Sequence, residues 1–274
     1  MSPDAARRRE RPAATLLPSM SAMKDLLELP PRTEKPRQAG LTHVLDRGLS
    51  VADIDGLVEI AGDYIDIVKL GWGTAVATGN LEAKLARYKE HGITVMFGGT
   101  LTELAIAQNR LDRLVAWLQE LGLDHIELSD GTLNIEPDRK LELIARLAQE
   151  FTVLSEVGSK DDTRIMAPYR WVEQMQAELD AGAWKVIAEG RESGAVGIFR
   201  HDGEVRQGLV DEILHAIPGE KIMFDAPRKE QQVWFVRRLG PDVNLGNITP
   251  EDVLSLETIR VGLRSDTAVA ELHD

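Results

Sequence analysis

The chain has 274 residues, a length that suits one large domain or two small ones. Its 45 acidic against 32 basic side chains give a formal charge of −13, the reverse of what a nucleic-acid binder needs, and 43% hydrophobic with 28% charged residues exclude a disordered chain. Cysteine is absent, which excludes disulfides, thiolate zinc sites, iron–sulfur ligation and cysteine nucleophiles, and no run approaches the ~18 apolar residues of a membrane span.

Residues 1–28 open with MSPDAARRRERPAATLLPSM, which has basic residues but no apolar stretch long enough for a secretion signal. They are expected to be a disordered extension, and residues 29–274 to be the catalytic domain of a cytoplasmic protein. From Thr42 onward, short β-branched or apolar runs alternate with longer amphipathic segments. The first run, Thr42–Leu45, precedes a helix over 50–61. Tyr64–Leu70 leads to a helix over 81–91, and Thr94–Phe97 to a long one over 104–121 that is expected to break near Gln108–Asn109. His125–Leu128 precedes a helix over 137–150, Thr152–Val157 one over 168–181, and Trp184–Ala188 one over 207–216. Lys221–Phe224 leads to 229–239, and Val243–Leu245 to 250–260.

Several boundaries carry chemical signals. Ser50 with Asp53 three residues on is a capping-box variant. Thr249 before Pro250 offers a capping hydroxyl and a first-turn proline, followed by the acids Glu251 and Asp252. Gly92, Gly122 and Gly182 sit where helices should stop. Eight β/α units in about 235 residues fit a single (β/α)8 TIM barrel of the α/β class. A doubly wound open sheet remains the alternative, because alternation alone does not report closure.

The polar residues gather at one end of these units. Almost every strand closes on a polar or glycine-rich cluster: Asp46-Arg47-Gly48, Lys69 to Thr74, Gly98-Gly99-Thr100, Glu127 to Gly131, Glu156 to Lys160, Glu189 to Gly194, Asp225-Ala226-Pro227 and Asn244 to Asn247. The helix-to-strand turns are short and plain. In a barrel this places the clusters on the C-terminal face, where barrel active sites sit.

The clusters supply three kinds of group. Carboxylates come first: Asp46, Glu103, Glu127, Asp130, Glu156, Glu189, Glu192 and Asp225. Gathered at one rim they repel unless cations sit among them, and a hard divalent ion such as Mg²⁺ resolves this. Helix capping and pairing with Arg or Lys account for about half of them, Glu103 and Glu192 especially. Next come the strand-end lysines Lys69 and Lys160, each a candidate general acid or base, Schiff-base nucleophile or phosphate anchor. Lys185, mid-strand, is read as structural. The third kind is an anion cradle of Arg191 with Asn244-Leu245-Gly246-Asn247, read as the loop after the last strand. Trp72, between two glycines, is placed to pack on a ligand, a neighbouring subunit or the core. The residues thus point to a barrel enzyme that binds an anionic, phosphorylated small molecule with a divalent metal.

At these clusters the sequence resembles the phosphosulfolactate synthase family. The resemblance is carried by VKLGWGTA, FGGTLTELA, HIELSDGT, VLSEVGSK, AEGRESGAVGI, MFDAPRKEQQVWF and VNLGNITPEDVLSLETIRVGLRSDT, and runs from about Leu29 to Thr267. It implies a (β/α)8 barrel and Mg²⁺-dependent addition of sulfite to C3 of phosphoenolpyruvate, giving (2R)-phospho-3-sulfolactate. In archaea this reaction begins coenzyme M biosynthesis. The family includes a plant heat-stress-associated branch, and it implies a homo-oligomer.

The reaction assigns roles to the residues already named. Attack at C3 pushes electrons onto C2 and the carboxylate, an enediolate-like charge that Mg²⁺ stabilises. Lys160 would protonate C2, while Lys69 and Arg191 would hold phosphate, carboxylate or sulfite. Glu156, Glu189 and Asp225 are the metal candidates. The backbone of Gly246 and Asn247 would take the phosphate, and Asn244 and Asp46 complete the substrate-binding set. The chain departs from the family's usual pattern at Asp225, where Glu is common, and at Gly190, where alanine is. Alternatives are a different nucleophile, a Schiff-base aldolase using Lys69, and a non-catalytic stress-linked protein.

Overall fold

A computed structural model describes residues 27–131, 133, 135–158 and 166–268. The chain divides into two units, Met1–Pro30 and Pro31–Asp274. Residues 1–26 of the expected extension lie outside the described residues. The second unit carries every strand and helix among those described.

Its eight strands are β1 (Thr42–Asp46), β2 (Ile67–Leu70), β3 (Thr94–Phe97), β4 (His125–Leu128), β5 (Thr152–Val157), β6 (Lys185–Ala188), β7 (Ile222–Asp225) and β8 (Leu245–Ile248). The paired strands are all parallel, in the order β3-β2-β1-β8-β7-β6-β5-β4. That order decides between the two architectures. A doubly wound sheet reverses direction at a switch point, whereas here β8 returns to pair with β1 and the order is cyclic. β3 and β4 lie side by side and complete the ring.

The helices are α1 (Val51–Ala61), α2 (Thr74–Ala77), α3 (Leu81–Glu90), α4 (Gly99–Ala107), α5 (Leu111–Glu120), α6 (Pro137–Leu147), α7 (Pro168–Asp180), α8 (Gln207–Ala216), α9 (Lys229–Leu239) and α10 (Val253–Arg260). The capping box forms: the Asp53 N–H donates to Ser50 Oγ (3.2 Å) and the Ser50 N–H to Asp53 Oδ2 (2.9 Å). The long helix after β3 splits into α4 and α5, with Asn109 left-handed at φ 52°. The chain is left-handed at Gly92, Gly122 and Gly182, where α3, α5 and α7 end. Among the described residues, no helix is long and apolar enough to cross a membrane.

Several local readings differ: the helix after β3 begins at Gly99 instead of 104, and the short α2 was not expected. β2 begins at Ile67, because Gly62–Tyr64 form a single 3-10 turn ahead of it. Pro250–Asp252 is likewise a 3-10 turn, and Thr249 donates to the Asp252 carboxylate (3.2 Å) instead of capping the backbone. The last strand lies further along the chain than Val243–Leu245. The Asn244 side chain occupies its entry, accepting from the Leu41 N–H (3.1 Å) and donating to Ile222 O (2.9 Å). NLGN therefore runs largely within β8 and is no loop.

Strand alternation then positions the site. Leu41, Ile67, Met96, Leu154, Ile187 and Met223 fill the barrel interior as one apolar layer. Lys69, Glu156, Glu189 and Asp225 stand two residues beyond members of that layer, on the same inward face and nearer the C-terminal rim. The other phase, including Val44, Val68, Val153 and Phe224, packs outward into the main core. Lys185 closes the opposite end, donating to Gln38 O (2.9 Å) beside the Trp184 ring, a structural role.

Candidate active site

The C-terminal rim encloses a cavity of about 160 Å³. Its walls include Lys69 of β2, Gly98, Gly99 and Thr100 at the start of α4, Glu127 of β4, Glu156 of β5, Glu189 and Arg191 after β6, and Asn247 of β8. Trp72 lines it too. Carboxylate oxygens of Glu156, Glu189 and Asp225, all buried, lie within 4.8 Å of one another. These are hard oxygen donors at a spacing a divalent cation would bridge. Asp225 Oδ1 has no hydrogen-bond partner among the described residues, while Oδ2 accepts from the Gly190 N–H (3.2 Å).

Two glycines pack closely around this cluster. A Cβ at Gly246 would lie 3.0 Å from Asp225 Oδ1 and 3.0 Å from His43 Nδ1, crowding the unpartnered carboxylate oxygen. A Cβ at Gly197 would lie 1.9 Å from the Glu189 carbonyl oxygen, and Gly197 is left-handed at φ 64°. We expect Gly197→Ala to lower stability by about 2–5 kcal/mol, backbone strain and overpacking together. Thermal denaturation with and without Mg²⁺ measures it, and a melting point equal to wild type would show that the Glu189 backbone yields freely.

Lys69 is the buried cation of the cluster, with Nζ 3.1 Å from Glu127 Oε2. Burial pulls it toward the neutral amine, but Glu127, Asp225 and Glu156 outweigh that and raise it above its ordinary value. It is therefore an ammonium, poorly suited to Schiff-base attack. Glu127 Oε1 also accepts from the Gly99 N–H (2.7 Å), joining β4 to α4. Burial, then the neighbouring Glu156 carboxylate, push Asp225 up to about 7 against the attraction of Lys69.

The structure brings together Lys69, Glu156, Glu189, Asp225, Arg191 and Asn247. Arg191 is left-handed at φ 56°, and its N–H donates to the Glu189 carboxylate. Lys160 lies outside the described residues. Asn244 is at the opposite end of β8, engaged with Leu41 and Ile222. Gly246 lies within the strand and clears space beside Asp225, so its backbone forms no phosphate loop. The Asn247 N–H faces His43 Nδ1 (3.4 Å). What Asn247 offers the cavity is its side chain, whose oxygen has no partner among the described residues.

Asp46 also stands apart. It shares the outward phase with Val44 and meets Lys84 Nζ (2.7 Å) and the Tyr88 hydroxyl (2.8 Å) of α3. Its Oδ1 accepts from the Gly48 and Leu49 N–H groups. Asp46→Ala strands the buried Lys84 charge, and a loss of about 3–5 kcal/mol in denaturant unfolding is expected; a loss under 1 kcal/mol would contradict this. Glu103 is structural as well, accepting from Ser129 Oγ and the Leu133 N–H.

Sequence reasoning missed His43. It is fully buried beside Asp225 and Gly246, and burial, then Lys69, hold it well below its ordinary value and so neutral. Its sequence signal was only its inward phase on β1, two residues from Leu41. Glu127 was counted among rim carboxylates but not set beside Lys69, because the pair spans the β3/β4 seam.

Comparison with known proteins places the chain in a family. The family model for (2R)-phospho-3-sulfolactate synthase (ComA) matches residues 30–266. The phosphosulfolactate synthase of Bacillus subtilis (strain 168) is 43% identical over 244 residues, 88% of this chain and 97% of that protein. That of Methanothermobacter thermautotrophicus is 41% identical over 244 residues, 87% and 95% of the two chains. The Arabidopsis thaliana protein HEAT-STRESS-ASSOCIATED 32 is more distant, 24% identical over 84% of this chain and 88% of its own. Among solved structures, a 3-hexulose-6-phosphate synthase aligns with TM-score 0.50 and 17% identity over 80% of this chain and 98% of its own, a likeness of fold alone. The matched span holds every cavity residue named above, and on that ground the chain belongs to the (2R)-phospho-3-sulfolactate synthase family.

Proposed function

We propose that this chain catalyses addition of sulfite to C3 of phosphoenolpyruvate, giving (2R)-phospho-3-sulfolactate, with Mg²⁺ held by Glu156, Glu189 and Asp225. The convergence of those three buried carboxylates beside Lys69 in a rim cavity carries the reading. The residues fit the ion: all three are hard oxygen donors, and the missing Cβ of Gly246 leaves Asp225 Oδ1 open. Mg²⁺ bound there would supply Lewis-acid stabilisation of negative charge on the substrate carboxylate.

The sulfur lone pair forms the new bond to C3. The C2–C3 π electrons move to C2 and the carboxylate, and C2 then takes one proton. Lys69, a fixed ammonium, stabilises the charge that develops. Arg191 at the rim binds an anionic group of the substrate, and the Asn247 amide orients it. Lys160 delivers the C2 proton from one face, a role that rests on the family resemblance. The addition needs neither a redox partner nor a covalent carrier.

Purified protein incubated with phosphoenolpyruvate, sulfite and Mg²⁺ and followed by ³¹P NMR should give a new phosphate-ester signal that requires all three. An unchanged phosphoenolpyruvate signal from folded, Mg²⁺-loaded protein would overturn the reading. Lys160→Ala should cut turnover by about 10²–10⁴-fold, the range for a positioned acid; near-normal turnover would remove Lys160 from the mechanism.

A further inference from the structure

Arg47 is exposed and, among the described residues, makes no hydrogen bond or ion pair. Its guanidinium lies over the face of Trp72, with Cζ 5.4 Å from the ring centroid. Arg32, Arg37, Arg87 and Arg238 each hold a carboxylate at 3.0 Å or closer. Trp72, in turn, lines the active cavity, is 55% exposed and is left-handed at φ 54°, a costly backbone for an aromatic residue.

Both residues are held in place from behind. The Gly71 N–H, just before Trp72, donates to the carbonyl of Asp46, just before Arg47 (3.0 Å). Asp46 Oδ1 fixes Gly48 and Leu49 on the far side of Arg47, and Lys84 Nζ donates to Leu49 O (2.9 Å). The buried Asp46–Lys84–Tyr88 network thus anchors the loop, and the Arg47 side chain is its free part. The cation–π contact with Trp72 holds the guanidinium, and no hydrogen bond among the described residues takes its N–H donors.

We infer that Arg47, held over the Trp72 ring, binds the second anion, sulfite, at the cavity mouth. This rests on the proposed reaction, in which two anions must be held at once. Lys69 and Arg191 serve the substrate inside a carboxylate-rich cavity, so the small oxyanion needs a cation of its own. A guanidinium fork matches two of its oxygens. Held by oxygen, sulfite keeps its sulfur lone pair free for C3.

The test uses the full-length Mg²⁺-loaded protein and sodium sulfite. Sulfite without phosphoenolpyruvate should quench Trp72 emission saturably, read as the difference between wild type and Trp72→Phe. Arg47→Ala should abolish that quench and raise the sulfite KM about 10–100-fold, the range for a hydrogen bond to a charged group, with the phosphoenolpyruvate KM within about twofold. Arg47→Lys, which keeps charge but loses the fork, should fall between. A rise in the phosphoenolpyruvate KM alone would overturn the assignment, as would unchanged KM values for both substrates. If wild type proves inactive, a Trp72 quench lost in Arg47→Ala still supports the oxyanion site while the reaction reading fails.

Discussion

Lys69→Met is expected to lower kcat/KM by about 10³-fold, the upper range for removing one preorganised charge-stabilising donor. Lys69 is the described cation in direct contact with the carboxylate cluster, 3.1 Å from Glu127 Oε2. Without it, Glu127 and Asp225 lose a buried counter-charge, and such a loss is costly. The variant should therefore also melt lower, and a loss of activity could be blamed on the fold. The double variant Lys69→Met/Glu127→Gln separates the two. The amide oxygen of the introduced glutamine still accepts from the Gly99 N–H, so the β4–α4 tie survives and stability should recover. Turnover should not, because the ammonium is still missing. Recovery of both would make Lys69 a structural counter-ion only. Borohydride treatment of wild type with a carbonyl substrate should trap no adduct, since the surrounding carboxylates keep Lys69 protonated; a trapped adduct there would favour the aldolase alternative.

The fold was legible because alternation and punctuation agree along this chain. Thr94–Phe97, His125–Leu128 and Thr152–Val157 are the observed β3, β4 and β5, and the break at Gln108–Asn109 was visible in composition. Ring closure was not legible, because it depends on β8 finding β1, a contact between distant residues. The last strand was misplaced for a related reason. Its Gly and Asn residues resemble a turn, yet Gly246 is required where Asp225 and His43 crowd the barrel axis, and Asn247 forms a bulge with a left-handed φ of 54°.

The site was legible by position and less so by phase. Rim location correctly gathered Lys69, Glu156, Glu189 and Asp225. One residue of strand phase separates an inward side chain from an outward one, and this sent Asp46 to α3. Counting from the apolar layer would have resolved it, since Leu41 and His43 share a phase that Asp46 does not. Arg47 escaped notice because an exposed arginine is ordinary until its neighbours are known. The departures at Gly190 and Asp225 prove to be in contact: the Gly190 N–H holds Asp225 Oδ2, and a Cβ at Gly190 would lie 2.4 Å from the Phe199 ring.

Asp225→Asn is expected to act in opposite directions with and without metal. Asparagine keeps the shape and can still accept from the Gly190 N–H, but carries no charge. In metal-free protein, burial and the Glu156 carboxylate push Asp225 up to about 7, far above its unfolded value. A raised acid binds more protons folded than unfolded, so wild-type stability falls as pH rises from about 4 to about 7. Metal-free Asp225→Asn escapes that loss and should melt higher than wild type at pH 8, with the gap closing toward pH 4. Adding Mg²⁺ reverses the order. A site occupied at 100 times its Kd gains about 2.7 kcal/mol of stability. The variant, short of one carboxylate, should bind Mg²⁺ at least roughly 100-fold more weakly, beyond the usual effect of an outer-shell partner. Turnover should fall with the metal. A general loss of packing would lower both melting points together, so the crossing of the two curves is the diagnostic feature. Equal Mg²⁺-dependent gains in the two proteins would place the cation away from Asp225 and leave the Glu156–Glu189–Asp225 cluster without its proposed role.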